Sequence, residues 1–227
     1  MNTKITILLF LALLSVSTSP IIGRALTGVG AISISFWRML IASIILWIFS
    51  SIKPQGRMKV ASNYNRTICA GILLGIHFAL FFEAIKITKI ANATFLGTLA
   101  PFFTLLIEYF ILKRVYSKKI ILGLFCTFLG SLIILSYQFD LESKYTIGNI
   151  YAVLCSISIA IALMIGEKVR SSEGTIVYTR NLYLSAAFTL LVIALFTSEQ
   201  LLYFTFNEYL GLIFLGLVPT ILGHNSI

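Results

Sequence analysis

Ile90–Tyr116 reads IANATFLGTLAPFFTLLIEYFILKRVY, and this stretch decides the class of fold. About twenty mostly apolar residues, 91–112, precede the basic pair Lys113 and Arg114. At a rise of 1.5 Å per residue, a helix of that length is roughly 30 Å long, which is the thickness of the hydrocarbon core of a bilayer. The stretch therefore predicts a transmembrane helix.

This predicted helix carries a polar or special residue at nearly every turn. These residues are Thr94, Gly97, Thr98, Pro101, Thr104 and Glu108. On one continuous helix they fall within about 120° of arc, and the opposite side is Leu, Ile and Phe. We interpret the polar side as the lining of a pathway and the apolar side as a lipid-facing surface.

The composition extends this interpretation to the whole chain. Of 227 residues, 59% are apolar and 11% are charged, and the mean hydropathy is +0.99. Soluble domains average about 45–50% apolar and about 25% charged residues. Long apolar runs recur without period-two alternation. The sequence predicts an all-α membrane protein, a polytopic helical bundle with about eight transmembrane helices.

The predicted spans are separated by short polar breaks. They cover residues 5–22, 32–49, 68–85, 91–112, 120–137, 147–165, 181–196 and 209–227. The first run also has features of a signal peptide, but apolar residues resume at Ile21 and Ile22. We interpret it as a span bent at Pro20. In the fifth span, Gly123 and Gly130 form a small-residue face for a neighbour, and a second copy of the chain is one candidate partner.

The net charge of +9 does not indicate nucleic acid, because the Lys and Arg residues lie in the short breaks between spans. With the N-terminus in the cytoplasm, twelve basic residues face the cytoplasm and five face outward. The twelve are Lys4, Lys53, Arg57, Lys59, Arg66, Lys113, Arg114, Lys118, Lys119, Lys168, Arg170 and Arg180. We therefore expect an integral protein of the cell (inner) membrane with a cytoplasmic N-terminus. The three cysteines are isolated and lack metal-ligand spacing, so we predict neither a metal nor a cofactor.

Span spacing indicates an internal repeat with an offset of 142 residues. This offset relates the starts of the first and sixth spans, and it relates Arg38 to Arg180 and Ile68 to Leu210. Five spans per unit place the second unit upside down, which is an inverted-topology repeat common in secondary transporters. We assign residues 1–138 to the first five-helix unit and residues 147–227 to three helices of the second.

Two segments resemble the EamA-type members of the drug/metabolite transporter superfamily. These segments are FWRMLIASIIL and TLAPFFTLLIEYFILKRVYSKKIILGLFCTFLGSLIIL. The pattern of that family is an Arg near the start of the second span, a Pro in the fourth span, a short basic turn and a fifth span that contains Gly. Arg38, Pro101, Gly123 and Gly130 match it. Relatives usually carry a Glu in the turn where this chain has Arg114, so no role is transferred to that position.

The resemblance implies ten helices in two inverted halves and transport without ATP by alternating access. The substrates implied are metabolites, amino acids or drugs. Since the sequence stops at Ile227, we expect the second copy to lack its last two helices. Two alternatives stay open: an inactive or assembly-dependent transporter fragment, and an intramembrane enzyme. We expect no catalytic activity, because no nucleophile and base share a helix face at a suitable spacing.

Arg38 and His77 are candidate pathway residues because ionisable groups inside spans are costly unless they face a cavity or a partner. Arg38 would contact a substrate anion or carboxylate, or anchor the helix at the interface beside Trp37. His77 would titrate in the pathway, or donate a packed interhelical hydrogen bond.

The remaining candidates lie on the polar side of the fourth span. Thr94, Thr98 and Pro101 would line the pathway or mediate tight helix packing. Glu108 would bind a coupling proton or cation, or extend to the surface beside the basic pair that follows it. The expected partners are thus the lipid bilayer and a small organic solute coupled to protons.

Overall fold

The computed structural model describes residues 3–136 and 144–224, and the regular elements in these residues are helices. They are α1 (Thr3–Ala25), α2 (Ala31–Ile52), α3 (Ala61–Ile87), α4 (Ile90–Gly97), α5 (Ala100–Phe110), α6 (Lys118–Ser136), α7 (Lys144–Arg170), α8 (Thr175–Thr197) and α9 (Phe206–Leu215). A π-helix, Gly216–His224, continues α9.

Seven segments of the described chain are long and apolar enough to cross a membrane. The 19-residue α6 corresponds to the remaining predicted span, 120–137, except that Tyr137 lies outside the described residues. The prediction of a polytopic helical bundle is therefore confirmed. The predicted boundary between the repeats lies largely in residues 137–143, outside the described residues, so the division into two units stays a prediction.

Several helices are longer than the hydropathy of the sequence predicts. For example, α8 begins at Thr175, whereas the predicted span begins at Asn181. The carbonyls of a polar first turn accept backbone hydrogen bonds from the next turn, so these residues are helical although an apolar run does not include them. Arg180 consequently lies inside α8 and is buried, whereas the predicted span, 181–196, begins one residue after it.

The prediction of one continuous fourth helix is wrong. The span is divided between α4 and α5 at Thr98 and Leu99, whose ψ angles of 9° and 7° differ from the helical value. Pro101, in the first turn of α5, has no N–H to donate to Gly97 and ends the hydrogen-bond ladder there. Of the six polar positions, Thr94 and Gly97 therefore lie in α4, Thr98 at the break, and Pro101, Thr104 and Glu108 in α5, so they do not form the stripe of one continuous helix.

The last span is also interrupted. Thr205 and Glu208 form a capping box that begins α9. At Gly216 the helix widens into the π-helix, which contains Pro219. The hydroxyl of Thr220 donates to the carbonyl of Leu215 at 2.9 Å, so a side chain binds an acceptor that Pro219 cannot reach with an N–H.

The bundle is organised around α3, which packs against α2, α7 and α8. A Cβ at Gly71 of α3 would lie 2.8 Å from the carbonyl oxygen of Leu182, so this glycine permits close approach of α3 and α8. Gly123 of α6 has no described residue outside its own helix near its missing Cβ, and Gly130 has only Phe95, at 3.9 Å. A contact between two copies of the chain through this face stays a prediction.

Candidate functional site

A cavity of about 710 Å³ lies among α3, α7, α8 and the π-helix. Its lining is Leu74, His77, Phe78, Ile159, Ala162, Leu163, Gly166, Glu167, Arg170, Ser171, Thr175, Tyr178, Thr179, Leu182, Tyr183 and Thr220. Most of this wall is apolar or aromatic, with a few polar groups. Cavities of about 300–1,000 Å³ with such walls are typical of small-molecule sites.

The cavity has one exposed end and one buried end. Glu167, Arg170 and Thr175, at the end of α7 and the start of α8, are exposed. His77 and Thr220 are buried within their spans. The cavity therefore extends from one end of the bundle to the middle of the spans.

His77 lies at the buried end and is 8% exposed. Its Nδ1–H donates to the carbonyl of Cys155 on α7 at 2.9 Å, and its ring stacks on Phe81. The second ring nitrogen, Nε2, is left to accept or bind a proton. His77 therefore makes the predicted interhelical bond and also lines the cavity, and its titration in a pathway stays a prediction.

Arg38 does not line the cavity but lies directly behind its wall and is 1% exposed. Its Nε donates to the hydroxyl of Thr220 at 2.7 Å, and its Nη1 donates to the hydroxyl of Ser19 at 2.7 Å. The guanidinium carbon lies 4.3 Å from the ring centroid of Phe78. Two of the residues that contact Arg38, Phe78 and Thr220, are themselves part of the cavity lining.

Pro101 and Glu108 line a smaller pocket of about 330 Å³ between α5 and α7. Its remaining lining is Thr104, Leu105, Leu163, Met164 and Glu167. Glu108 is ion-paired with Arg114 and accepts a hydrogen bond from the hydroxyl of Tyr116. That hydrogen bond raises the pKa of Tyr116, which lies in the loop after α5.

Thr94 and Thr98 do not contribute to either pocket. The Thr94 hydroxyl is buried and has no hydrogen-bond partner among the described residues. Thr98 is exposed, and its hydroxyl donates to the carbonyl of Phe95 in its own helix at 2.9 Å. The structure thus separates the candidates. His77 lines the large cavity, Arg38 lies behind its wall, and Pro101 and Glu108 line the small pocket.

The two pockets have Leu163 and Glu167 of α7 in common. These residues and the tyrosines of α8, Tyr178 and Tyr183, were not among the sequence candidates. The positions 175, 178, 179, 182 and 183 follow the i, i+3, i+4, i+7, i+8 spacing of one helix face, which would have identified them. The predicted span began after the first three of these positions.

Two glutamates from the ends of α8 bind the first turns of other helices. Glu173 accepts from the backbone N–H groups of Lys59 and Val60 and from the amide of Asn63, each at 3.0 Å. These bonds, first among them the one from the backbone N–H of Lys59, lower the pKa of Glu173. The α7–α8 loop, which borders the cavity, is thereby fixed to the start of α3.

At the opposite end of the bundle, Glu199 accepts from the backbone N–H of Ser33 at 2.8 Å, in the first turn of α2. Ser33 and Trp37 in turn donate to the carbonyls of Gln200 and Leu201, at 2.5 and 2.8 Å. A carboxylate at a helix N-terminus binds unpaired N–H groups and the positive end of the dipole. The contacts at both ends of α8 thus join it to helices from the first half of the chain.

The long apolar helices and their exposed apolar side chains define an integral membrane protein of the polytopic helical class. Residues 3–136 match the EamA-like transporter family, which is more than half of the chain. The chain therefore belongs to the EamA-like transporter family.

Two further comparisons concern a relative in sequence and a solved structure of the same fold. A Bacillus subtilis (strain 168) protein named uncharacterized transporter YyaM is 29% identical over 172 residues, which cover 72% of this chain and 55% of that protein. The chain thus spans about half the length of this relative. A crystal structure of a protein superposes on all of this chain and on 78% of its own, with a TM-score of 0.72 and 17% identity, and shows the same fold.

Proposed function

We propose that this chain is a secondary transporter that moves small organic solutes across the cell (inner) membrane by alternating access, without ATP. The observation that carries the proposal is the cavity of about 710 Å³, which is open at one end of the bundle and ends at His77 and Thr220 within the spans. A solute site near the middle of the membrane, reached from one side at a time, is what alternating access requires.

Interruptions in two spans support this proposal. The fourth span is broken at Thr98–Leu99 and the last span changes to a π-helix at Gly216. Transporter sites are commonly built where membrane helices are discontinuous, because the freed backbone groups can bind solutes or ions and the breaks can act as hinges. In this chain Thr220 of the π-helix reaches the cavity directly.

Helix packing also supports the inverted repeat that we propose. If α1, α2 and α3 correspond to α7, α8 and the last span, a pseudo-twofold axis should pair α2 with α8. The same axis should relate the packing of α3 on α7 to the packing of α1 on the last span. Contacts α2–α8, α3–α7 and α1 with the π-helix are all extensive.

For proton coupling we propose His77 in preference to Glu108. His77 borders the cavity with Nε2 free of the bond to Cys155, whereas Glu108 already has Arg114 and Tyr116 as partners. A proton bound at His77 would add positive charge at the buried end of the cavity and so couple proton binding to solute binding.

The proposal is tested with purified protein in liposomes and labelled solutes under an imposed pH gradient. The panel comprises the twenty protein amino acids, benzoate, phenylacetate and ethidium. We expect saturable flux of at least one compound that depends on the gradient, and dependence that is lost in His77→Ala. Flux no greater than in empty liposomes for the whole panel would contradict transport. Unchanged gradient dependence in a His77→Ala, Glu108→Gln double variant would exclude both residues from coupling.

A further inference from the structure

Arg38 is a buried cation with no carboxylate partner in the described part of the chain. The ion pair found among the described residues is Arg114–Glu108. Arg38 donates its hydrogen bonds there to the neutral hydroxyls of Ser19 and Thr220, and its guanidinium lies over the uncharged ring of Phe78. A buried charge without an opposite charge costs several kcal/mol in a low-dielectric interior, so such a group is expected to receive an anion.

The geometry of the guanidinium indicates where that anion binds. Nε–H and one N–H of Nη2 are parallel and form the edge that holds a carboxylate with two hydrogen bonds. On this edge Nε is bonded to Thr220, and Nη2 has no acceptor among the described residues. The other nitrogen, Nη1, is bonded to Ser19 on α1. The incompletely occupied edge is therefore the one beside Thr220, a residue of the cavity lining.

The rest of the cavity fits an apolar body with one negative charge. Between the buried end and the mouth, the wall is formed largely by the aromatic and aliphatic side chains Phe78, Tyr178, Leu182 and Ile159. At the mouth, Glu167 and Arg170 carry opposite charges, so they add no net charge. While His77 is neutral, one cation beside the closed end and aromatic walls match a monoanion better than a dianion or a cation.

We propose that Arg38 is the anion-binding residue of the transport site, and that the substrate is an organic monocarboxylate with an aromatic or branched apolar body. This inference rests on the proposed function and specifies its substrate class. The carboxylate replaces the hydroxyl of Thr220 on Nε and binds Nη2 at the same time. Thr220 then moves out of the contact, and this displacement links substrate binding to the π-helix.

The test compares phenylacetate with its neutral isostere phenylacetamide. Affinities come from the rise in unfolding temperature of the detergent-purified protein at constant ionic strength. Unfolding is followed with a thiol-reactive fluorophore that reports buried Cys155, after exposed Cys69 and Cys126 are replaced by Ser. We expect phenylacetate to bind roughly ten- to a hundredfold more tightly than phenylacetamide, which is the value of a charge-assisted hydrogen-bond pair.

The variants separate substrate recognition from a structural role of Arg38. Arg38→Gln should bind the acid and the amide equally. Arg180→Gln is the matched control, since Arg180 is a second buried arginine, bonded to the carbonyl of Gly56 and outside the cavity lining. It should keep the preference. Thr220→Val removes the competing acceptor and should tighten phenylacetate binding, so the proposal can be tested even when Arg38→Gln does not fold.

Equal binding of phenylacetate and phenylacetamide to the parent protein would overturn the proposal. So would loss of the preference in Arg180→Gln to the same extent as in Arg38→Gln. Tighter binding of phenyl phosphate than of phenylacetate would overturn the carboxylate assignment. Solute flux in liposomes without a preference for acids would refute this inference and leave the transport function intact. Binding of the acid through Arg38 without flux of any panel compound would support the anion site and refute the transport function.

Discussion

Gly71 of α3 is a position where the packing of the bundle can be tested with a single methyl group. Its missing Cβ would meet the side chain of Ser185 and would lie 2.8 Å from the carbonyl oxygen of Leu182. Both belong to α8, the helix that carries Tyr178 and Tyr183 of the cavity. Because a backbone carbonyl cannot rotate away, Gly71→Ala must push α3 and α8 apart.

The magnitude follows from three contributions. Overpacking costs about 1–3 kcal/mol. Separation of the helices also weakens the hydrogen bond from Ser185 to the carbonyl of Ile68, now 3.0 Å, which contributes about 1 kcal/mol. The higher helix propensity of alanine offsets about 1 kcal/mol of this loss. The net loss is about 1–3 kcal/mol, or roughly 2–12 °C in unfolding temperature for a chain of this size.

The matched control is Gly123→Ala, because no described residue outside its own helix lies within 4 Å of a Cβ at Gly123 in α6. It should leave the unfolding temperature unchanged or raise it, through helix propensity alone. Both variants are measured by the exposure of Cys155 on heating. Equal unfolding temperatures for Gly71→Ala and Gly123→Ala would refute the close approach of α3 and α8.

The loop contacts and the orientation give two further predictions. The pKa of Glu173 lies below the 4.5 of a free glutamate. The carboxylate therefore contributes its full stabilisation of the folded protein above pH 4.5, and this contribution is lost as the pH falls below that value. Thermal unfolding measured against pH should therefore show a lower unfolding temperature for Glu173→Gln than for the parent protein near neutral pH. The difference between the two proteins should shrink in acid. A difference that does not depend on pH would contradict the hydrogen-bonded carboxylate. With a cytoplasmic N-terminus, a membrane-impermeant thiol reagent applied to intact cells should label Tyr203→Cys but not Gln55→Cys, both of which are exposed loop positions. Labelling of Gln55→Cys alone would reverse the orientation.

The sequence was sufficient for the class of fold because an apolar run of bilayer length has few alternatives to a membrane helix. It was less informative at helix ends, as α8 shows, since polar first turns are helical without being apolar. It also failed at Thr98–Leu99, where the missing N–H of Pro101 interrupts a run that hydropathy treats as continuous.

The site was predictable only in part. Arg38 and His77 were identified because a charged or titratable group within a span is costly unless it faces a cavity or a partner. Which of the polar residues share a cavity depends on how helices distant in the chain pack together. Thr220 meets Arg38 across 182 positions of sequence, and no local pattern specifies that contact. The tyrosines of α8 have ordinary interfacial and packing roles in membrane helices, so their residue type alone did not mark them.

In the transport that we propose, solute passes through the cavity among α3, α7, α8 and the π-helix. Thr179 is buried on the cavity wall, and Leu195, on the same helix, is 70% exposed on the outer surface. The most direct test measures liposome flux of the panel compound that moves fastest, in Thr179→Trp and Leu195→Trp at equal amounts of folded protein. We expect Thr179→Trp to block flux and Leu195→Trp to leave it intact. Full flux in Thr179→Trp would show that solute does not pass through this cavity.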